Sequence, residues 1–398
     1  MLNQETLTLM YKDYEVLSFI VDYVNRPKIR IIKELEHFDL APYGISKDNE
    51  SNDMRLLRFF NSRKIAENRW DYDLILKNTG CKDSFELAFK GHGLSLSNHY
   101  WFKRDGEDLK YDDINFFSNK WDDSFARAVL NGKYEELSNC DLNVPDIVTQ
   151  GWAVKGWIYD NGPKLIKLGI VKDQYEDSLG EVLASRLASR ILKEDEVLKY
   201  DLVKVGDKYG SICKPLVGID EELVPLSVVL PNDLYQLFLG RNNNKDKNRE
   251  FFKRVSEFGM PELYELFVKI SCLRSLCFIS DLHFDNICVI RNIKTGKLKP
   301  APIHDLAGAF GTSKTGKEFI TKLNEGSYFI IYFLFSFLES SWDYSWYEPT
   351  KLEGFEEEIR DIFSKSNFFT PELIDKIIDV YQHQKNALDE ISKKSVTL

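Results

Sequence analysis

Between residues 261 and 290 the chain changes its hydrophobic period, and that change constrains the fold more than any other feature. Leu263, Leu266, Phe267, Ile270, Leu273 and Cys277 recur at helical spacing behind Pro261, which suits the first turn of a helix. The helix runs directly into SDLHFDNICVI, residues Ser280–Ile290, in which Ile287, Val289 and Ile290 read as a strand. A polar loop is therefore held between an apolar helix and an apolar strand.

Upstream, alternation at Leu7–Tyr11, Glu15–Val21 and Lys28–Ile32 predicts a small antiparallel sheet, and helical patterns follow at Asn52–Lys64 and Ser84–Lys90. Gly91–Phe117, rich in Gly, Asp and aromatics, reads as irregular, and Trp121–Leu130 as a short helix. Asn, Asp and Pro cluster at Cys140–Pro145 and mark a boundary. Beyond it Val154–Tyr159 and Lys164–Leu168 read as strands joined by a turn at Asp160–Pro163. Glu181–Leu192 reads as a helix with Val182, Leu183, Leu187, Ala188 and Ile191 on one face. Val197–Val205 and Tyr209–Leu216 form a second hairpin, turned at Gly206–Asp207, and the rest is mainly helical. Strands first and helices afterwards, with a polar loop at the junction, is the order of a two-lobed protein kinase. The predicted class is α+β, with a small β-rich lobe over residues 141–218, a larger helical lobe over 219–398, and an extra N-terminal α/β region over 1–140.

Composition narrows the function. The chain is 43% hydrophobic and 29% charged, the balance of a globular protein. Its 53 basic and 63 acidic residues give a net charge of −10, which reads against a chain-wide nucleic-acid face and against direct DNA binding. The basic run Lys245–Lys253 reads as a solvated loop entering a helix. Cys81, Cys140, Cys213, Cys272, Cys277 and Cys288 include no C-x-x-C pair, so reduced thiols in a cytoplasm are expected. The opening MLNQETLTLMYKD lacks the basic and apolar segments of a signal peptide. The most apolar run, Tyr328–Leu338, falls short of the ~20 residues of a membrane helix and reads as a buried core helix.

The chemistry is concentrated in the loop. Asp281 and Asn286 stand five apart, the D-x-x-x-x-N spacing of a phosphotransferase catalytic loop. One carboxylate orients the attacking hydroxyl and accepts its proton, while a nearby amide oxygen binds magnesium. Asp305, in APIHDLAGAFG, lies 24 residues after Asp281, beyond a turn at Thr295–Gly296, and would be the second metal ligand. Taken singly, either Asp reads as a turn residue; with Asn286 at its offset, the set reads as a site for ATP with magnesium. His283 is open to two readings, one orienting Asp281 or contacting phosphate, the other packing within the loop. Lys167, inside LIKLG, is the candidate grip on the α- and β-phosphates, with Lys164 the lesser one. Glu181, opening the next helix, would hold that lysine. A phosphate-covering loop is expected at Thr149–Trp157, where Thr149 and Gln150 precede Gly151. Gly151 and Gly156 would let backbone N–H groups approach phosphate; an ordinary hairpin turn is the other reading of this stretch. Adenine would lie along Ser211–Leu216, beside Ser211 and Cys213, through backbone hydrogen bonds.

In this order the pieces resemble the HipA-like kinases of bacteria, over roughly Pro145–Trp342. The resemblance rests on D-x-H-x-x-N at Asp281, His283 and Asn286, PIHD at Pro302–Asp305, LIK at Leu165–Lys167 and GEVLASRLA at Gly180–Ala188. More loosely, GLSLSNHYWFK and YDDINFF look like the segment preceding the kinase region in such chains. The resemblance implies a protein-kinase-like fold using ATP and magnesium, and a protein serine or threonine as acceptor. It also implies a toxin restrained by a DNA-binding antitoxin, and autophosphorylation in the nucleotide loop, with Thr149 the position for it here. The sequence departs from the family where Gly-x-Gln-x-Lys becomes Gly151-Trp-Ala-Val-Lys155, and where residues 1–140 lack an obvious counterpart of the toxins' small N-terminal module. Three alternatives stay open. DLHFDN also looks like the G-D-L-H-x-x-N of antibiotic and choline kinases, implying a small-molecule acceptor. A non-catalytic kinase fold acting as a binding module is the second, although lysine, base and metal ligands speak against it. A DNA-binding regulator is the third, and the acidic balance speaks against that.

Overall fold

The computed structural model describes residues 4–22, 28–46, 51–169, 177–240, 244–279, 283–312 and 338–395. Asp281 lies outside the described residues, as does all but Leu338 of the core helix expected at 328–338. The chain divides into two compact units. One comprises Met1–Lys167, Lys214–Val224 and Ile290–Leu298; the other comprises Leu168–Cys213, Pro225–Val289 and Lys299–Leu398.

The first unit is built on an antiparallel sheet of β1 (Gln4–Tyr11), β2 (Tyr14–Asp22), β3 (Lys28–Glu34) and β4 (Tyr100–Arg104), in the order β3-β2-β1-β4. The alternation of the first three strands is what the sequence shows. Leu7, Leu9, Phe19 and Val21 point to one face and are covered by Leu56 and Phe60 of the Asn52–Asn61 helix and Phe85 and Phe89 of the Ser84–Lys90 helix. Phe60 stacks on Phe102 at 4.1 Å between ring centroids. The fourth strand corrects the reading of 91–117 as irregular. Tyr100, Trp101 and Phe102 are all buried and are followed by the half-buried Lys103 and Arg104, so β4 shows no alternation to betray it. Further on, β5 (Lys155–Tyr159) and β6 (Pro163–Lys167) form the expected hairpin, with Asn161 and Gly162 in the left-handed region at the turn.

In the second unit, β7 (Asp201–Val205) and β8 (Lys208–Cys213) form the other hairpin, with Gly206 at a φ of 62° in its turn. The helix Asp177–Ile191 begins four residues before Glu181, where the sequence reading began it. Pro261 opens the helix Pro261–Cys277, and Phe278, at a φ of 40°, closes it in a left-handed cap. Phe238, Phe251, Phe267 and Phe284 pack into one aromatic cluster, with Phe238 and Phe284 4.5 Å apart. The run at 245–253 belongs to the amphipathic helix Lys245–Glu257, which buries Phe251, Phe252 and Val255. The helix Pro371–Ser395 meets Pro261–Cys277 where Ser275 Oγ donates to Gln384 Oε1 at 2.8 Å. Among the described residues no helix is long and apolar enough to cross a membrane.

Candidate functional site

Within the second unit, the loop after Pro261–Cys277 is shaped by its own backbone and by one aromatic anchor. Phe284 is fully buried in the aromatic cluster. Around it the Asn286 N–H donates to the His283 carbonyl at 3.0 Å, and the Asp285 N–H donates to His283 Nδ1 at 3.2 Å. Ser227 Oγ donates to the Asp285 carboxylate. Ile287 and Cys288 then enter a ladder, with Leu226 N donating to Ile287 O at 2.8 Å and Ala301 N to Cys288 O at 3.0 Å. The loop that carries Asn286 is thus fixed on both sides.

Asp305 is set by a second chain of contacts. Leu198 N donates to Ile303 O at 2.9 Å and Ile303 N to Glu196 O at 2.8 Å. The Asp305 N–H donates to Tyr200 Oη at 3.2 Å. Tyr200 in turn donates its own N–H to Ser185 Oγ at 2.9 Å, and that hydroxyl donates to Leu198 O at 3.0 Å. Ser185 sits on the Asp177–Ile191 helix, so the helix that carries Glu181 positions the segment that carries Asp305. The two also touch at Gly180, where a Cβ would fall 2.5 Å from the Ala309 carbonyl oxygen and closer still to Thr312 Oγ1. Asp305 itself has a φ of 52°, and Phe278, Gly308, Phe310 and Gly311 are also left-handed. Left-handed non-glycine residues are uncommon and collect at functional sites.

Asn286 and His304 line one pocket, together with Ile287, Cys288, Pro302 and Leu306. Burial, and then the carboxylates of Asp305 and Asp285, push the Cys288 thiol well above its ordinary pKa. The carboxylate at 305 therefore acts electrostatically on the residue two places beyond Asn286. Glu181 is 0% exposed and accepts a hydrogen bond from Ser211 Oγ at 2.6 Å. Ser211 and Cys213 are both buried on β8. Asp281 remains outside the described residues, and His283 is described only through its own loop.

The other predicted residues belong to the first unit. Lys167 ends β6, is 8% exposed, and sits opposite Lys155 in the hairpin register. Thr149 Oγ1 donates to Pro145 O at 3.0 Å, which holds the start of the loop in place. Gln150 Nε2 donates to Asn61 O at 3.2 Å and to Lys64 O. Gly151, at a φ of 96°, leaves open backbone under the Lys155 ammonium: a Cβ there would lie 2.5 Å from Nζ. Trp152, beside it, is 62% exposed.

Residues that sequence reasoning missed are Gly180, Ser185, Tyr200 and Asp146. Asp146, 3% exposed, accepts the Trp157 N–H at 2.8 Å through Oδ1, and among the described residues no hydrogen bond reaches Oδ2. Burial pushes its carboxyl up to about 7.

These features define a two-lobed, kinase-like α+β fold. Among solved structures the chain is similar to the toxin HipA of Shewanella oneidensis MR-1, determined with HipB and operator DNA. That match has a TM-score of 0.53 and 11% identity, and covers 97% of this chain and 99% of the other. It is also similar to the proinflammatory kinase CtkA of Helicobacter pylori, with a TM-score of 0.44, 15% identity, and 62% of this chain and 92% of that one covered. The fold is HipA-like. No family model and no curated protein matches the sequence.

Proposed function

We propose that the chain is an ATP- and magnesium-dependent phosphotransferase whose acceptor is a protein serine or threonine. The observation that carries the reading is the bonded path from the Glu181 helix through Ser185 and Tyr200 to Asp305, with Asn286 on the neighbouring loop, in a kinase-like fold. Residues 141–218 would form the N-lobe, residues 219–398 the C-lobe, and residues 1–140 an accessory region.

Asn286 and Asp305 offer hard oxygen donors, the set that suits magnesium. Among the described residues no group of three or more His, Cys, Asp or Glu side chains is arranged to hold a metal. A two-ligand site completed by nucleotide phosphates is the form magnesium commonly takes. When bound, the ion offsets charge on the transferred phosphoryl group. Asp281 orients the acceptor hydroxyl and accepts its proton, and His283 orients Asp281. Lys167 grips the α- and β-phosphates, and Glu181 holds Lys167 in place. The backbone at Thr149, Gln150 and Gly151 covers the phosphates under the Lys155 ammonium, and Thr149 is the autophosphorylation position. The backbone near Ser211 and Cys213 receives adenine.

A toxin role in a cytoplasm fits this reading, as do the six free cysteines. Since the HipA structure contains HipB and operator DNA, an antitoxin partner is proposed here too, with DNA contacted by that partner and not by this acidic chain. Incubating the protein with γ-labelled ATP, magnesium and a cell lysate, followed by phosphosite mapping, tests the reading. Label on protein serines or threonines is expected, and Asp281→Ala should abolish it while nucleotide still binds. Label on free amino sugars alone would move the assignment to a small-molecule kinase, and equal labelling by Asp281→Ala would reject the base.

A further inference from the structure

Polar groups of the N-terminal region converge on one short segment, Gly218–Leu223. The Asp220 carboxylate accepts from Tyr11 Oη at 2.6 Å and from Lys12 Nζ, both at the β1–β2 turn, and pairs with Lys294 Nζ at 2.7 Å. Burial alone would raise its pKa, yet these three donors hold it well below the usual carboxylate range. The Asp220 carbonyl accepts the Ile293 N–H at 2.8 Å, and its backbone is left-handed, at a φ of 60°.

Glu222, 3% exposed, repeats the pattern. Its Oε1 accepts the Tyr43 N–H at 2.8 Å, and its Oε2 lies 3.6 Å from the Arg291 guanidinium, which also donates to Ala41 O at 2.8 Å. On either side, His99 Nε2 meets the Gly218 carbonyl at 2.8 Å and Leu223 N donates to Ser97 O at 3.0 Å. A carbonyl can only accept, so Nε2 carries the proton and Nδ1 accepts from Tyr111 Oη at 2.6 Å. Burial holds the imidazole below its ordinary pKa, in keeping with a neutral ring.

We propose that Asp220 and Glu222 are positioning residues for phosphoryl transfer, through which the accessory N-terminal region braces the two segments that feed the site. The inference rests on the phosphotransfer reading above and gives residues 1–140 a purpose within it. The reasoning is one of chain connectivity. Lys214–Val224 follows directly on Ser211 and Cys213, where adenine is placed. Ile290–Leu298 begins four residues after Asn286 and ends seven before Asp305. Asp220 and Glu222 each bind to both the N-terminal region and the 291–294 hairpin. Glu221–Pro225 and Cys288–Asn292 already pair as neighbouring strands of a three-stranded sheet, so what the two carboxylates add is the tie between that sheet and the N-terminal region. Losing either carboxylate loosens that sheet from the N-terminal region, and a misplacement of about 1 Å near a reacting centre is costly.

The test compares full-length wild type, Asp220→Asn, Glu222→Gln and Val21→Ala, a variant of the same region's buried core that removes none of the hydrogen bonds or ion pairs of the two carboxylates. Binding of a non-hydrolysable ATP analogue with magnesium, kcat and KM for transfer, and melting temperature are measured on each. Asp220→Asn and Glu222→Gln should bind nucleotide about tenfold more weakly, whereas Val21→Ala should melt lower and bind as wild type. Wild-type binding by both carboxylate variants, or equal weakening by Val21→Ala, overturns the brace and leaves the phosphotransfer reading standing. Failure of the wild type itself to bind the analogue overturns that reading, and the brace with it.

Discussion

Gly180→Ala sets helix propensity against packing, and the structure decides which wins. Glycine inside a helix costs roughly 1 kcal/mol relative to alanine, so an open site would gain about that much stability from the change. Gly180 lies inside Asp177–Ile191, and its new methyl would stand 2.5 Å from the Ala309 carbonyl oxygen and 3.0 Å from Thr312 Cγ2. The neighbour cannot swing away. Ala309 O already accepts Thr312 Oγ1 at 2.8 Å and Thr312 N at 3.2 Å, so the 309–312 turn must move as a body. Overpacking of this kind costs typically ~1–3 kcal/mol, which leaves a net loss of up to about 2 kcal/mol after the propensity gain. At roughly 2–4 °C per kcal/mol, the melting temperature should fall by as much as about 8 °C. Because the displaced turn begins four residues after Asp305, magnesium-dependent nucleotide binding should weaken as well. Thermal unfolding and nucleotide titration on the same preparation measure both. A variant that melts above wild type, as propensity alone requires, would refute the packing argument.

Other consequences are equally direct. A rise of the Asp146 carboxyl from 3.8 to about 7 means that the folded state keeps a proton which the unfolded chain gives up. Its stabilising effect is complete below pH ~4, declines between ~4 and ~7, and is gone above, a difference on the order of 4 kcal/mol. Asp146→Asn should therefore melt increasingly above wild type as pH rises from 4 to 8, and a gap independent of pH would contradict the assignment. Burial pushes the Cys272, Cys277 and Cys288 thiols up, while Cys140 is partly exposed. Native alkylation at pH 8 followed by peptide mapping should find Cys140 modified first. Modification of Cys277 or Cys288 at a matching rate would show that the core is open.

Much of the fold was legible because its elements obey a single period. The β5–β6 hairpin announces itself by alternation and by Asn161–Gly162 at its turn, and Pro261 marks a helix start that the structure keeps. Legibility failed where residues serve two masters. Tyr100–Phe102 is buried on both faces and so looks like no strand, and the helix read from Glu181 onward leaves out Gly180, which is a contact point inside it. Glu181 is accordingly deeper in its helix than its sequence suggests. The links from Ser185 to Tyr200 and from Tyr200 to Asp305 join positions 15 and 105 residues apart by single hydroxyl bonds, which leave no periodic trace. The same holds for Asp220 and Glu222, whose partners are scattered from Tyr11 to Lys294.

The most direct test is calorimetric titration of ATP, with and without magnesium, into wild type and Asp305→Asn. With Asp305 as the proposed metal ligand, its replacement should cost no less than the roughly tenfold or more typical of a ligand's supporting residues. Wild type should bind ATP far more tightly with magnesium, and Asp305→Asn should lose at least about tenfold of that enhancement. Undiminished magnesium dependence in Asp305→Asn would contradict the account at its centre.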